Sequence, residues 1–364
     1  MNKKRVLLGM SGGVDSSVAA YVLKEEGYEV IGVTMQIWPD LPGQVQEREG
    51  GCCSLSAVDD ARRVANQLGI PFYVINFKEV FEEKVIDYFV DEYVRGRTPN
   101  PCIACNRYIK FDHFLKKALE LDAFYIATGH YAAASYDSQR QRYLLKKSSA
   151  VGKDQTYALY SMTQHQLEHT LFPLGSYTKE QVRDIAKKIG LTVANKPDSQ
   201  EICFVDDDDY GRFIEERLNK EIKPGNFVDT QGNVLGRHKG IIHYTIGQRK
   251  GLGIALGKPM YVVAIDPEKD LVVLGDHDQV FSKEMIVDEI NFISVPSLRE
   301  PTRVRVKIRY TAPEVPATLY PIKGNKIRVS FDKPERAITP GQAAVFYQDE
   351  YVLGGGTIET SLNY

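Results

Sequence analysis

The stretch GMSGGVDSS, residues 9–17, lies between an apolar run, Arg5–Leu8, and a segment of helical spacing, Asp15–Glu26, that stops at Gly27. A strand, a glycine-rich turn and a helix in that order commit the chain to a βα corner. Glycines at such a corner let backbone N–H groups turn towards an anion, and the helix N-terminus adds its positive dipole end. Ser11, Ser16 and Ser17 supply hydroxyl donors beside them. The loop lacks the G-K-[ST] ending used for γ-phosphate transfer and the GxGxxG spacing of a dinucleotide site. A tight corner would explain an isolated glycine pair; the strand–loop–helix context favours an anion cradle.

The pattern of that corner continues. Val30–Thr34, Phe72–Asn76 and Phe124–Thr128 read as short buried strands. Ser54–Leu68 reads as a helix, with Ser54 as N-cap and Gly69 as its stop. Further helical periodicity spans Val80–Arg95, Lys110–Leu121, Lys179–Ile189 and Tyr210–Leu218. Strands alternating with amphipathic helices predict a parallel sheet covered on both faces. Beyond about residue 222 the period becomes two, as in PMYVVAID, DLVVLGD, TRVRVKIRY and KIRVSFD, with turn residues between. The expected fold is an α/β N-terminal domain, residues 1–205, followed by two small β-rich domains, 206–278 and 279–364. The acidic run Asp206–Asp209 precedes a helix and reads as N-terminal capping.

With 43% hydrophobic and 26% charged residues among 364, the composition is that of a soluble globular protein. No apolar run approaches the length of a membrane span. The N-terminal MNKKRVLLGM runs straight into the glycine loop and reads as a first strand, not a signal peptide, so a cytoplasmic location is expected. A net charge of −2 says nothing against nucleic acid, because a local basic face suffices. In TRVRVKIRY, Arg303, Arg305, Lys307 and Arg309 fall on one face of a strand. That stripe suits a phosphate backbone and equally a solvated strand face.

Five cysteines without a secretory signal argue against a disulfide framework. Cys52 and Cys53 precede a helix and read as small, partly buried residues. Cys102 and Cys105 stand three apart in TPNPCIACNRYIKF, read as a loop before the helix at 110–121. A metal clamp, a redox pair and a catalytic nucleophile all fit that spacing. Arg97, Arg107 and Lys110 nearby favour the thiolate. Cys203, in KPDSQEICFV, occupies another loop.

GMSGGVDSS resembles the SGGxDSS pyrophosphatase loop of ATP-dependent adenylating enzymes such as GMP synthetases and argininosuccinate synthetases. The resemblance implies an adenine-nucleotide hydrolase-like domain that cleaves ATP between its α- and β-phosphates. Gly9, Met10, Ser11, Gly12, Gly13, Val14, Asp15 and Ser16 would hold the nucleotide, with Asp15 near the phosphates through Mg²⁺. Met35 and Gly129, at strand ends, fall where a parallel sheet opens its ligand crevice.

The order SGGVDSS, GCCSLSAVDDARRVA, GRTPNPCIACNRYIKF, ATGHYA, KDQTYAL, KPDSQEICFV, HKGIIHYTIGQRKGLGI and GQAAVFY resembles that of tRNA-specific 2-thiouridylases over essentially the whole chain. This implies that ATP adenylates the 2-oxygen of a tRNA wobble uridine. Cys203 would take sulfur as a persulfide from a donor such as a cysteine desulfurase or a relay protein. Cys105 would then release it, either by forming a disulfide with Cys203 or by helping to liberate sulfide. The resemblance nominates Asn100, Pro101, Cys102, His130, Lys153, Asp154, Gln155, Arg309, Tyr310 and Gln342 as tRNA contacts. Cys102 departs from the family pattern, in which many members carry Asp. The departure creates three thiols, Cys102, Cys105 and Cys203, that suit an iron–sulfur cluster with an open iron position. Zinc is the other ion such a set can take. Two further readings remain: an adenylating amidotransferase or ligase, which needs no thiols, and a non-catalytic RNA-binding module, which needs no ATP.

Overall fold

A computed structural model of the chain describes residues 1–38, 55–150, 152–196, 202–205, 209–218, 222–255 and 257–362. Cys52, Cys53, the expected N-cap Ser54 and Asp206–Asp208 lie outside these. Asp209, the last of the acidic run, does cap: its carboxylate accepts from the Arg212 N–H at 3.0 Å.

The first domain is built on β1 (Asn2–Gly9), β2 (Glu29–Gln36), β3 (Phe72–Asn76), β4 (Ala123–Ala127) and β7 (Thr170–Leu171), in the order β3-β2-β1-β4-β7 with every pairing parallel. Its helices are α1 (Val14–Glu25), α2 (Leu55–Leu68), α3, α4, α5 (Gln164–Glu168) and α6 (Lys179–Lys188). α3 runs through Lys78–Phe81, a π-helical Glu82–Asp87 and Tyr88–Val94, and α4 through Pro101–Ala104, a π-helical Cys105–His113 and Phe114–Glu120. Side chains of β1 alternate between two cores, as a strand period requires. Val6 and Leu8 pack with α1, α2 and α6, whereas Leu7 packs with α3 and α4 on the other face. Helices thus cover both faces of the sheet, as expected.

The second domain, after α7 (Tyr210–Leu218), pairs β8 (Gly225–Asp229), β9 (Val234–His238), β10 (Tyr261–Asp266) and β11 (Leu271–Gly275) in the order β10-β11-β8-β9. The third closes a ring. β12 (Phe281–Phe292), β13 (Thr302–Lys307), β14 (Val315–Ile322), β15 (Lys326–Arg336), β16 (Ala343–Gln348) and β17 (Tyr351–Leu362) follow the order β12-β15-β14-β13-β16-β17, and β12 pairs β17 to complete a six-stranded barrel. Closure leaves no free edge within the ring.

Two sequence expectations need correction. The hairpin β5 (Ala132–Asp137) and β6 (Arg142–Lys147) was not foreseen, and it extends the barrel sheet through Lys146 and Tyr351 although it belongs to the first domain by chain position. Cys102 and Cys105 are helical, not in a loop. α4 begins nine residues before the expected Lys110, because Asn100 caps it and Pro101 occupies its first position. The Asn100 side chain accepts from the N–H groups of Cys102 at 3.1 Å and Ile103 at 3.3 Å.

Candidate active site

The glycine loop joins β1 to α1 as expected. Gly12 adopts φ +66°, and a Cβ there would run into the Ala57 carbonyl at the start of α2, so only glycine fits. The Met10 N–H donates to Val33 at 2.8 Å and the Thr34 hydroxyl to the Met10 carbonyl at 2.8 Å, locking the loop entrance to β2. Ser16 and Ser17 turn their hydroxyls to the Gly13 carbonyl at 3.2 and 2.8 Å, while the Ser11 N–H donates to Ser16 Oγ at 3.2 Å. Gly129 backs onto the first turn of α1: an added Cβ would lie 2.8 Å from the Ser16 nitrogen. Met35 Cε lies 2.9 Å from where a Cβ on Gly9 would stand. The structure therefore gathers Gly9, Met10, Ser11, Gly12, Gly13, Val14, Asp15, Ser16, Met35 and Gly129 at the carboxyl ends of β1, β2 and β4.

Asp15 has partners within the chain. Both of its oxygens accept from Lys179 Nζ at 2.8 Å, and Oδ1 also accepts from the Tyr131 hydroxyl at 2.8 Å. Its counter-ion in this arrangement is a lysine of the chain. Lys179 was not singled out from the sequence, though a signal existed. It is the first residue of α6, where a cation opposes the helix dipole, and it is buried. A buried ammonium at a helix N-terminus needs a specific partner.

Cys102 is exposed on the first turn of α4, and Cys105, one turn later on the same side, is half-buried. Cys203 is half-buried on a turn anchored by Phe204, whose ring packs against Phe81, Phe89 and Phe213 at 5.9, 5.3 and 5.3 Å. Cys105 and Cys203 pack against the same hydrophobic core. A tetrahedral zinc ion with ~2.3 Å bonds needs sulfurs about 3.8 Å apart. Among the described residues, the His, Cys, Asp and Glu group with ligand atoms mutually within 4.8 Å is His165, Glu168 and His169, so the three thiols are not preset for zinc.

Three expected tRNA contacts act on a fourth, Tyr310. The Tyr310 hydroxyl is pushed up in pKa by burial first, then by the Asp154 carboxylate, and also by Cys102, against the lowering effect of Lys153. These four groups therefore share one electrostatic neighbourhood. Burial followed by Lys110 holds His130 well below the usual imidazole range, so its ring is neutral, and its Nδ1 is 2.7 Å from the Thr128 hydroxyl. Other candidates have structural employment. Asp154 accepts from the Ser148 N–H at 3.1 Å and the Thr156 hydroxyl at 2.6 Å, and Gln155 accepts from the Tyr131 N–H at 2.9 Å. Gln342 donates to the carbonyls of Thr98 at 2.8 Å and Pro99 at 3.4 Å.

The basic stripe divides. Val304, Val306 and Ile308 are buried behind it, as the strand period requires. Arg303 makes a bidentate pair with Asp332, 2.7 Å at each nitrogen, and Arg305 lies 3.7 Å from Glu314. Lys307 instead lies over the rings of Tyr157 and Tyr310, at 5.8 and 5.5 Å. Burial and then Arg336 lower the pKa of Arg309, which is half-buried beyond the end of β13. Arg303 and Arg305 thus pair with carboxylates on the exposed face of the strand.

Residues 4–207 match the sequence model of the tRNA methyl transferase HUP domain, 211–276 that of the tRNA methyl transferase PRC-barrel domain, and 282–358 that of the aminomethyltransferase beta-barrel domain. The tRNA-specific 2-thiouridylase MnmA of Acetivibrio thermocellus is 66% identical over 359 residues, spanning 99% of this chain and all of the relative. The chain belongs to the tRNA-specific 2-thiouridylase family. The 2-thiouridylase MnmA of Clostridioides difficile is 61% identical over 362 residues, with 100% of this chain and 99% of the relative covered. This 2-thiouridylase family fold accordingly combines the HUP-type parallel sheet with the two β-rich domains found here. Among the described residues, no helix is long and apolar enough to cross a membrane.

Proposed function

We propose that this chain is a cytoplasmic enzyme that uses ATP to convert the wobble uridine of tRNA to 2-thiouridine. Membership of the 2-thiouridylase family over the whole chain carries the reading. The glycine loop at the mouth of the parallel sheet supports ATP use, since its amides and the α1 N-terminus suit a departing pyrophosphate. Magnesium would travel on the ATP phosphates, with Asp15 on the first turn of α1 as its candidate protein ligand. Transfer of AMP to the uridine 2-oxygen converts that oxygen into a good leaving group.

Cys203 carries a persulfide received from a donor protein. Its terminal sulfur attacks C2 of the activated uridine and AMP leaves, giving a disulfide between the base and Cys203. The Cys105 thiolate then attacks Cys203 Sγ, releasing 2-thiouridine and leaving a Cys105–Cys203 disulfide, which an external dithiol reduces. Asn100 and Pro101 shape the start of the helix that bears Cys105. Tyr310, Lys153 and Cys102 are exposed polar groups suited to RNA, His130 and Arg309 are further contact candidates, and Asp154 and Gln155 brace the segment 148–156 through their hydrogen bonds.

The test is thiolation of unmodified tRNA with ATP, Mg²⁺ and a persulfide or sulfide source, read as retardation on a mercury-containing gel. Cys105→Ser and Cys203→Ser should each abolish retardation. Wild-type protein that consumes ATP, retards no tRNA and keeps that ATP turnover in both variants would be an adenylating amidotransferase or ligase instead. A second reading keeps the reaction but has Cys102, Cys105 and Cys203 bind an iron–sulfur cluster. It is favoured by the placement of Cys102 and Cys105 one helical turn apart. Anaerobic purification with iron and acid-labile sulfide assays decides it: an iron-free protein that still thiolates tRNA sinks the cluster.

A further inference from the structure

Thr98 lies two residues before Asn100, the cap that starts the cysteine helix, and its polar atoms are tied to both other domains. Its N–H donates to the Pro340 carbonyl at 2.9 Å, and its own carbonyl accepts from Gln342 Nε2 at 2.8 Å. Its hydroxyl is 3.2 Å from that of Thr245 in the second domain. The same Gln342 amide reaches the Pro99 carbonyl at 3.4 Å. Gly341, at φ +91°, lies flat against this segment: a Cβ there would stand 3.0 Å from the Thr98 nitrogen. All three domains therefore meet on one residue, at the point from which α4 begins.

We propose that Thr98, Gly341 and Gln342 form an interdomain latch of positioning residues that sets the start of α4, and through it the placement of Cys105 for sulfur transfer. A helix N-terminus is defined by the backbone that enters it. Here that backbone is held by the closed barrel, which has no free edge to yield, rather than by the first domain alone. RNA seated on the barrel would press on the same segment, linking substrate docking to the placement of the thiol. The proposal rests on the thiolation reading, and it assigns Gln342 a different task from direct contact with tRNA.

Gln342→Met keeps the bulk and removes the donor; Gln342→Glu keeps the size and turns an acceptor towards two carbonyls. Each is compared with wild type by filter binding of tRNA, single-turnover thiolation at saturating tRNA, and amide exchange over residues 98–105. Misplacement of a reacting group by about 1 Å costs on the order of 10²-fold in rate. The latch predicts a fall of about that size in thiolation at saturating tRNA, with tRNA affinity changed less than about threefold. It also predicts faster exchange at residues 98–105 without RNA, which loss of an RNA contact would not produce. Thr98→Ser, which keeps every polar atom of the latch, should behave as wild type. Weaker tRNA binding with an unchanged saturated rate and unchanged exchange would overturn the latch, as would no effect in any assay. If wild-type protein thiolates no tRNA, the proposed function fails, while the exchange measurement still judges the latch.

Discussion

Lys179→Met tests whether the buried lysine is the counter-ion on which the glycine loop depends. The ammonium is almost fully buried, with 8% of its side chain exposed, and Asp15 is 30% exposed. The mutation takes away the ammonium that both Asp15 oxygens accept from and leaves the Tyr131 hydroxyl on Oδ1. Removing one partner of a buried pair costs about 3–5 kcal/mol. Partial exposure of Asp15 lets water share the charge, which places the expected loss near the lower end, about 3 kcal/mol or roughly a 10²-fold change in the unfolding equilibrium. Methionine fills most of the aliphatic volume, so the cavity contribution is small. The double variant Asp15→Asn, Lys179→Met removes the stranded charge and should recover most of the loss. The one tryptophan, Trp38, follows β2 and reports on the first domain in urea unfolding. With the ammonium gone, the loop also presents uncompensated negative charge to the ATP phosphates, so ATP affinity should fall in the single variant and partly return in the double. A wild-type unfolding midpoint for Lys179→Met, or no recovery in the double variant, would refute the argument.

His130 is held neutral by burial and by Lys110, so the unfolded chain binds its proton more readily than the folded one below pH ~6.5. Its contribution is present above that pH and is lost as pH falls through it. Between pH 7 and pH 5 wild type should lose about 1–2 kcal/mol more than His130→Gln in urea unfolding, and equal losses would remove the claim. Gly12→Ala forces a Cβ into the Ala57 backbone at a positive φ, at a strain of about 1–3 kcal/mol; equilibrium dialysis should show ATP affinity reduced at least about tenfold. Tyr157 is fully buried and donates to the Ala343 carbonyl at 2.9 Å, so Tyr157→Phe should lower stability by about 1–3 kcal/mol, read by calorimetry. Arg303→Ala should leave tRNA affinity and its salt dependence unchanged, because Asp332 already neutralises the guanidinium; a shallower salt slope would restore Arg303 to the RNA-contacting face.

Local rules were enough for much of this protein. The strand–glycine–helix corner, the β1 to β4 strands and the alternation of Val304, Val306 and Ile308 follow from period and turn chemistry, because each depends on residues within a few positions of one another. The start of α4 is ambiguous at this level: Asn100 followed by Pro101 is a capping signature, yet the prolines of TPNPC also read as a loop. The β5–β6 hairpin has short alternating strands, but what sheet it joins depends on Tyr351, more than 200 positions away.

The sequence alone determined the groups available: a glycine-rich strand-to-helix loop, thiols at 102, 105 and 203, and a family whose motifs appear in order along the chain. Tertiary structure decided which groups are already spoken for. Lys179 reaches Asp15 across 164 positions, Gln342 reaches Thr98 across 244, and Asp332 neutralises Arg303 across 29. The physical reason is that charge compensation and burial depend on distance in space, which residue type and spacing do not encode. TPNPCIACNRYIKF thus names its cysteines by itself, but where its helix begins in space is held by a barrel some 240 residues further along the chain.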